Sequence, residues 1–76
     1  MKNVVLPELG EDIEKATVAC WHHRVGDAVK EDDDLVELVT DKASFNVSAG
    51  TAGILKKILV AEGEEAKIGQ PLAVIE

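Results

Sequence analysis

Residues 25–39 read VGDAVKEDDDLVELV, and residues 62–76 read EGEEAKIGQPLAVIE. The two stretches align without a gap at a constant offset of 37 residues, since 63 − 26 = 37. The matched positions include Gly26 with Gly63, Lys30 with Lys67, and Leu35 with Leu72. The chain therefore contains two copies of one supersecondary unit, and the segment around Lys42 lies between them.

Strand-like runs dominate each unit and the residues between them. Short runs rich in Val, Ile, Leu and Thr are separated by Gly, Pro and acidic residues, a pattern typical of β-strands and turns. Residues 11–16 are the only candidate helix, and they are too few to be stable alone. The predicted strands are 2–6, 16–24, 28–30, 35–40, 43–47, 52–60, 66–68 and 72–76. Their short, regular spacing predicts an all-β sandwich or barrel.

The repeat makes this architecture more specific. Neither unit can cover its own apolar face, so we expect the two to pack together about a pseudo-twofold axis. Val4–Leu6 and Phe45–Val47 then act as the leading strand of each half. This arrangement predicts two antiparallel sheets face to face, with both ends of the chain in one sheet. The Asp41-Lys42 turn should lie at the far end of the other sheet.

Composition limits the functions that such a domain can have. Seventy-six residues are enough for one small domain, predicted to span residues 1–76, which buries roughly 60% of its unfolded surface. The net charge of −7 argues against binding to nucleic acid or to anionic membranes. A transmembrane helix needs about 18 consecutive apolar residues, and no apolar run in this sequence is that long. Cys20 is the single cysteine, which excludes an internal disulfide and fits an intracellular compartment.

Thr40-Asp41-Lys42-Ala43 joins two predicted strands with almost no intervening sequence. A tight hairpin turn with Asp41 and Lys42 at its tip is the natural connection. A free lysine is charged at neutral pH and therefore a poor nucleophile. We accordingly interpret Lys42 as an anchor for a prosthetic group that another enzyme attaches. The alternative is an ordinary turn lysine, and only the position between the two repeats favours the anchor.

Other potential sites are weaker. Cys20 and His22 alternate along one predicted strand with Trp21 and His23, so at most two of these potential ligands share a face. Zinc sites use three or four protein ligands, and we therefore predict no metal site. Trp21 and His23 should face the core, with His22 near the surface. The glycines are predicted to serve turns: Gly26 and Gly63 with positive φ, and Gly10, Gly50, Gly53 and Gly69 at turns or bends.

A set of segments spread over the whole chain forms a more specific pattern: residues 6–11 (LPELGE), 26–29 (GDAV), 37–43 (ELVTDKA), 52–55 (AGIL), 62–63 (EG) and 69–72 (GQPL). Together they resemble the lipoyl domains of the 2-oxo acid dehydrogenase complexes, over essentially all 76 residues. The resemblance implies a flattened β-barrel of two four-stranded antiparallel sheets, a barrel-sandwich hybrid. It also implies that lipoate is joined as an amide to the side-chain nitrogen of Lys42, with Asp41 and Ala43 flanking it.

The resemblance further implies a recognition surface beside the modified lysine. The residues that it assigns to this surface are Leu9, Gly10, Glu11, Asp12 and Ile13 of the loop after the first strand, and Thr40 of the hairpin. The implied partners are a lipoate-attaching enzyme, a thiamine-diphosphate 2-oxo acid decarboxylase, an acyltransferase core and a dihydrolipoyl dehydrogenase. The domain would be monomeric and non-catalytic, a part of a dihydrolipoamide acyltransferase that carries acyl groups and electrons between these enzymes.

Two alternatives remain at this point. A biotinyl carrier domain of a carboxylase has a similar fold and repeat, but its lysine typically stands between two methionines, whereas Lys42 stands between Asp41 and Ala43. An unmodified β-barrel interaction module is the other. The sequence does not distinguish among pyruvate, 2-oxoglutarate, branched-chain and acetoin systems. The expected compartment is the bacterial cytoplasm or the mitochondrial matrix.

Overall fold

The structure, a computed structural model, describes residues 1–10 and 12–76. Over these residues it contains eight β-strands and no helix. The strands are β1 (Lys2–Val5), β2 (Lys15–Trp21), β3 (Ala28–Val29), β4 (Asp34–Val39), β5 (Ser44–Ser48), β6 (Gly53–Ile58), β7 (Glu65–Lys67) and β8 (Pro71–Ile75). Within the described part of the chain, accordingly, no helix has the length and apolar character needed to cross a membrane.

The eight strands form two four-stranded sheets with the orders β1-β8-β6-β3 and β5-β4-β2-β7. Every pair of neighbouring strands is antiparallel. The predicted fold class is therefore confirmed. The first and last strands lie side by side in one sheet, and the β4–β5 hairpin that carries Lys42 belongs to the other, as the repeat predicted.

The internal repeat governs the hydrogen bonding between the two units. Adding 37 converts β2, β3 and β4 into β6, β7 and β8, and the two sheet orders coincide when β1 is matched with β5. The Gly26 amide donates to the Leu55 carbonyl at 2.7 Å, and the Gly63 amide donates to the Val18 carbonyl at 2.9 Å. These two bonds are equivalent, because 26 + 37 = 63 and 55 − 37 = 18. Each unit's glycine turn is thus bound to the long strand of the other unit.

The same turns explain where our predicted strand bounds were wrong. β2 ends at Trp21 and β6 at Ile58, two to three residues earlier than predicted. The Asp27 carboxylate accepts a hydrogen bond from the Arg24 amide, and the Glu64 carboxylate accepts one from the Ala61 amide, both at 2.9 Å. Each side chain closes a turn that takes the chain out of the sheet. Periodicity does not reveal such closure.

Glycine has two distinct uses in this fold. Gly26, Gly63, Gly50 and Gly69 all have positive φ, so the first two confirm their prediction. Gly53 was expected at a turn or bend but is the first residue of β6. A Cβ atom there would lie 2.6 Å from the carbonyl oxygen of Glu76. Close approach of two backbones therefore requires glycine at this position.

The core between the sheets is aliphatic. Among the described residues, sixteen hydrophobic residues are buried, and no polar or charged side chain is buried with them. Leu35 and Leu72, which are equivalent in the repeat, are both fully buried. Trp21 packs against the edge of this core, and its indole N–H donates to the Val60 carbonyl at 2.9 Å. The β4 and β5 strands that carry the hairpin are therefore packed against this core.

Candidate functional site

The hairpin connection Thr40–Ala43 is held together by one side chain. The Thr40 hydroxyl accepts hydrogen bonds from the amides of Lys42 at 3.2 Å and Ala43 at 3.1 Å. It also lies 3.1 Å from the Ala43 carbonyl, to which it donates, and the Thr40 amide donates to the same carbonyl at 2.8 Å. The base of the turn is thereby fixed, which defines the direction in which Lys42 leaves it.

The backbone conformation shows why a hydroxyl is needed here. Two-residue hairpin loops usually adopt type I′ or II′ turns, which require positive φ at one or both central residues. Asp41 and Lys42 occupy the centre of this turn, and neither has positive φ. The Thr40 side chain therefore supplies hydrogen bonds within a turn that lacks the preferred hairpin geometry.

Lys42 is exposed at the tip of the hairpin. Its side chain is 66% accessible, and the Nζ atom lies 3.6 Å from Oδ2 of Asp12, whose side chain is 82% accessible. An ion pair so open to solvent contributes about 0–1 kcal/mol to stability. The pair consequently leaves the amine accessible to another protein.

A cleft of about 220 Å³ separates the hairpin from the loop that precedes β2. Its walls are formed by Asp12, Ile13, Glu14, Lys15, Thr40, Asp41 and Lys42. The structure thus brings two of the predicted loop residues, Asp12 and Ile13, next to the predicted lysine. The hairpin and the loop form one continuous surface.

Three other predicted site residues do not line the cleft. Leu9 is half-buried and packs against the core, and the Gly10 carbonyl accepts a hydrogen bond from the Ile13 amide at 3.2 Å. These two residues therefore belong to the body of the loop and not to the wall of the cleft. Ala43 belongs to the hydrogen-bonded base of the hairpin. Glu11 lies outside the described residues.

Sequence reasoning missed Glu14 and Lys15 as residues of the cleft. The register of β2 with β4 pairs Thr17 with Val39 and Val18 with Leu38, so paired numbers add to 56. Continued past the end of the pairing, the same sum places residue 14 across from residue 42. The signal was available only from the strand register, which no periodicity within a single strand reveals.

The structure adds a third potential metal ligand to Cys20 and His22. We expected at most two potential ligands on one face, but Glu37 of the neighbouring strand joins them there. The premise of that expectation was therefore wrong, because it considered one strand at a time. His22 is exposed as predicted, whereas His23 is only half-buried and lies beyond the end of β2.

Comparisons with known proteins agree with the fold. A family model described as "Biotin-requiring enzyme", which covers biotin and lipoyl attachment domains, matches residues 2–75. The lipoyl domain of the 2-oxoglutarate dehydrogenase complex from Azotobacter vinelandii has a solution structure that matches at a TM-score of 0.77 with 34% identity. The match covers 97% of this chain and 94% of that one. The chain belongs to the lipoyl domains.

Two curated relatives show where such a domain occurs. One is the dihydrolipoyllysine-residue succinyltransferase component of the 2-oxoglutarate dehydrogenase complex of Staphylococcus saprophyticus, 41% identical over 99% of this chain. The component of the same name from Escherichia coli is 46% identical over 80% of this chain. The aligned segments make up 18% and 15% of those two proteins. This lipoyl domain therefore corresponds to a small part of each relative.

Proposed function

We propose that Lys42 carries lipoate in amide linkage and that the domain, residues 1–76, is the acyl and electron carrier of a 2-oxo acid dehydrogenase complex. One observation carries the proposal: the Lys42 amine is exposed at the tip of a side-chain-braced hairpin, beside a cleft. A member of the lipoyl domains with one lysine in that position has an evident attachment point. An unmodified interaction module would have no need of it.

The residues around Lys42 suit an attached group. Attachment as an amide removes the charge of Nζ and so ends the ion pair with Asp12, which contributes little to begin with. The Thr40 hydrogen bonds hold the turn without involving Nζ and therefore persist after attachment. When bound, lipoate supplies a dithiolane that accepts an acyl group and electrons, while the protein positions it.

The domain itself is proposed to have no catalytic activity. Its contribution is tethering, because linked partners meet at an effective concentration of up to about millimolar. The partners are a lipoate-attaching enzyme, a thiamine-diphosphate decarboxylase, an acyltransferase core and a dihydrolipoyl dehydrogenase. The decarboxylase has to approach the anchor, and we assign its contact to the cleft between Asp12 and Thr40.

The names of the relatives support a proposal for the acyl group. Both are named as succinyltransferase components of 2-oxoglutarate dehydrogenase complexes, and both come from bacteria. We therefore propose succinyl as the acyl group, 2-oxoglutarate as its source and the bacterial cytoplasm as the compartment. The larger protein would be a dihydrolipoamide acyltransferase of this type.

Attachment at Lys42 is tested by intact-protein mass spectrometry. The chain is produced in a host that supplies both lipoate- and biotin-attaching enzymes, as wild type and as Lys42→Arg, Lys30→Arg and Lys67→Arg. The last two lysines are equivalent in the repeat and serve as matched controls. We expect a lipoyl adduct on all proteins except Lys42→Arg. A biotinyl adduct, no adduct, or an adduct on Lys42→Arg would contradict the proposal.

Recognition at the cleft is tested with a domain that is already lipoylated on Lys42. Asp12→Lys reverses a charge in the cleft, and Glu31→Lys makes the same change at an exposed residue that does not line it. We expect Asp12→Lys to slow reductive succinylation by a 2-oxoglutarate decarboxylase several-fold, with lipoylation and melting temperature unchanged. Glu31→Lys should react at the wild-type rate. Equal rates for the two variants would exclude Asp12 from the recognition surface.

A further inference from the structure

A second group of reactive side chains lies on the outer face of the β5-β4-β2-β7 sheet. Cys20 of β2 pairs directly with Glu37 of β4, and Glu37 pairs with Asn46 of β5. His22 follows β2, and its Nε2 atom lies 3.0 Å from Oδ1 of Asn46. One ligand atom each from Cys20, His22 and Glu37 lies within 4.8 Å of the other two.

A β-bulge assembles this group. The pairing of β2 with β4 shifts between Val18 and Cys20, so that Val18 pairs with Leu38 but Cys20 pairs with Glu37. Without the extra residue, the sum of paired numbers would stay at 56 and Ala19 would face Glu37. Bulges redirect side chains in this way. Here the bulge places the thiol beside a carboxylate on the outside of the sheet.

The internal repeat shows what the scaffold requires at these positions. The residues equivalent to Cys20, His22 and Glu37 are Lys57, Leu59 and Val74. Lys57 pairs with Val74, and the same register shift occurs in β6 between Leu55 and Lys57. The bulge therefore belongs to the fold, whereas the thiol, imidazole and carboxylate occur in only one of its two copies. Packing of the sheet does not account for that set.

We propose that Cys20, His22 and Glu37 bind one zinc ion, with water as the fourth ligand. Thiolate sulfur, imidazole nitrogen and carboxylate oxygen are zinc's protein ligands, at about 2.0–2.3 Å from the metal. A tetrahedron with such bonds has ligand atoms roughly 3.3–3.8 Å apart, so closure from within 4.8 Å needs only small side-chain movements. Binding forms the S–Zn bond and releases the thiol proton to solvent, which makes affinity rise with pH.

Two neighbouring features favour a cation at this place. Asn46 is hydrogen-bonded to the His22 ring and so holds it over the sheet, as outer partners of metal-binding histidines do. The net charge of −7 raises the local concentration of divalent cations. The group stands on paired strands of one sheet, and Cys20 and Glu37 are half-buried. The site is independent of the chemistry proposed for Lys42.

The test uses the unlipoylated Lys42→Arg chain, because a dithiol on Lys42 would itself bind zinc. The reduced, metal-free protein is titrated with Zn²⁺ by calorimetry and with Co²⁺ by absorption, which detects thiolate ligation. We expect one equivalent per chain, with affinity reduced about tenfold or more by Cys20→Ser or His22→Asn and less by Glu37→Gln. His23→Asn, next to the site but beyond its reach, should bind as the parent does.

A triple variant that carries the residues of the other repeat unit serves as the control for folding. Cys20→Lys, His22→Leu and Glu37→Val together install the residues that the equivalent positions already carry, so the sheet should form and zinc binding should be lost. Circular dichroism and melting temperature check the fold. Parental zinc affinity in this variant would overturn the proposal. So would a cobalt spectrum without thiolate ligation, an equal loss in His23→Asn, or one zinc per two chains in sedimentation.

Discussion

The two repeat units, residues 15–39 and 52–76, share their strands and turns but differ in how they continue. At the end of β4 the chain turns through Thr40–Ala43 directly into β5. At the equivalent place, β8 lies beside β1, with Ile75 opposite Lys2, yet the two strands are not consecutive in the chain. A hairpin therefore exists at one end of the molecule and not at its symmetry-related counterpart.

This difference explains how one lysine can be distinguished from the others. Lys30 and Lys67 occupy equivalent turns, in each of which the lysine amide donates to a side chain three residues later, Asp33 or Gln70. An enzyme that recognised either turn would recognise both. Lys42 has no counterpart within the repeated residues, and its turn is braced by Thr40 instead. Asymmetry in a symmetric scaffold thus sets the proposed attachment position apart from the other lysines.

The largest expected effect tests whether the two units share one core equally. Leu35→Ala and Leu72→Ala each remove a fully buried side chain and should lower the free energy of unfolding by about 2–5 kcal/mol. Their equivalence predicts costs within about 1 kcal/mol of each other, since the two leucines lie on equivalent strands of the two sheets. Urea unfolding followed by Trp21 fluorescence measures both.

The control for these core variants is Val25→Ala, at an exposed position of the first turn, which should change stability by no more than about 0.5 kcal/mol. If one leucine variant costs less than half as much as the other, the core is not shared equally. The two repeat units would then have equivalent hydrogen bonds but different packing energies.

A smaller effect on stability is expected at Gly53, where the two repeat units carry different residues within a strand. Gly53 and Ala16 are equivalent, and the Ala16 methyl group is buried in the core. At Gly53 an added Cβ would meet the Glu76 carbonyl oxygen at 2.6 Å and a methyl of Ile75 at 2.8 Å. Gly53→Ala should therefore destabilise the domain by about 1–3 kcal/mol, although alanine is native in the other unit.

The reciprocal variant calibrates this result. Ala16→Gly should cost about 0.5–1 kcal/mol through backbone entropy, plus the lost methyl burial. Thermal unfolding of the two variants, side by side with the parent, gives the comparison. A neutral Gly53→Ala would mean that residues 75 and 76 move away without penalty and that β6 does not require glycine.

The sequence predicted the architecture because the repeat is long and ungapped. An offset of 37 residues fixed which strands are equivalent, and burial of both apolar faces then required two sheets. The hairpin tip was predictable from its short spacing and turn-forming residues. Strand ends were not, because the carboxylates of Asp27 and Glu64 decide where β2 and β6 stop, through bonds to the backbone that leave no periodic trace.

The site could be predicted only in part, for a related reason. Lys42 and its loop follow from chain order and family resemblance. Glu14, Lys15 and Glu37 reach their places through cross-strand register, and for Glu37 a bulge shifts that register by one residue. A one-residue shift reverses which face a side chain occupies. Pairing of distant strands must therefore be known before such groups can be recognised.

The smallest expected effect concerns the ion pair between Asp12 and Lys42, neither of which lies within the two repeat units. Both side chains are well exposed, so a double-mutant cycle of Asp12→Asn and Lys42→Gln should give a coupling of about 0–1 kcal/mol, reduced further by salt. Urea unfolding at low and high ionic strength measures it. Since Lys42→Gln removes the same charge as an amide does, weak coupling means that modification of Lys42 leaves the fold's stability unchanged. A coupling above about 1 kcal/mol, insensitive to salt, would instead make the pair a structural element whose loss on modification loosens the loop from the hairpin.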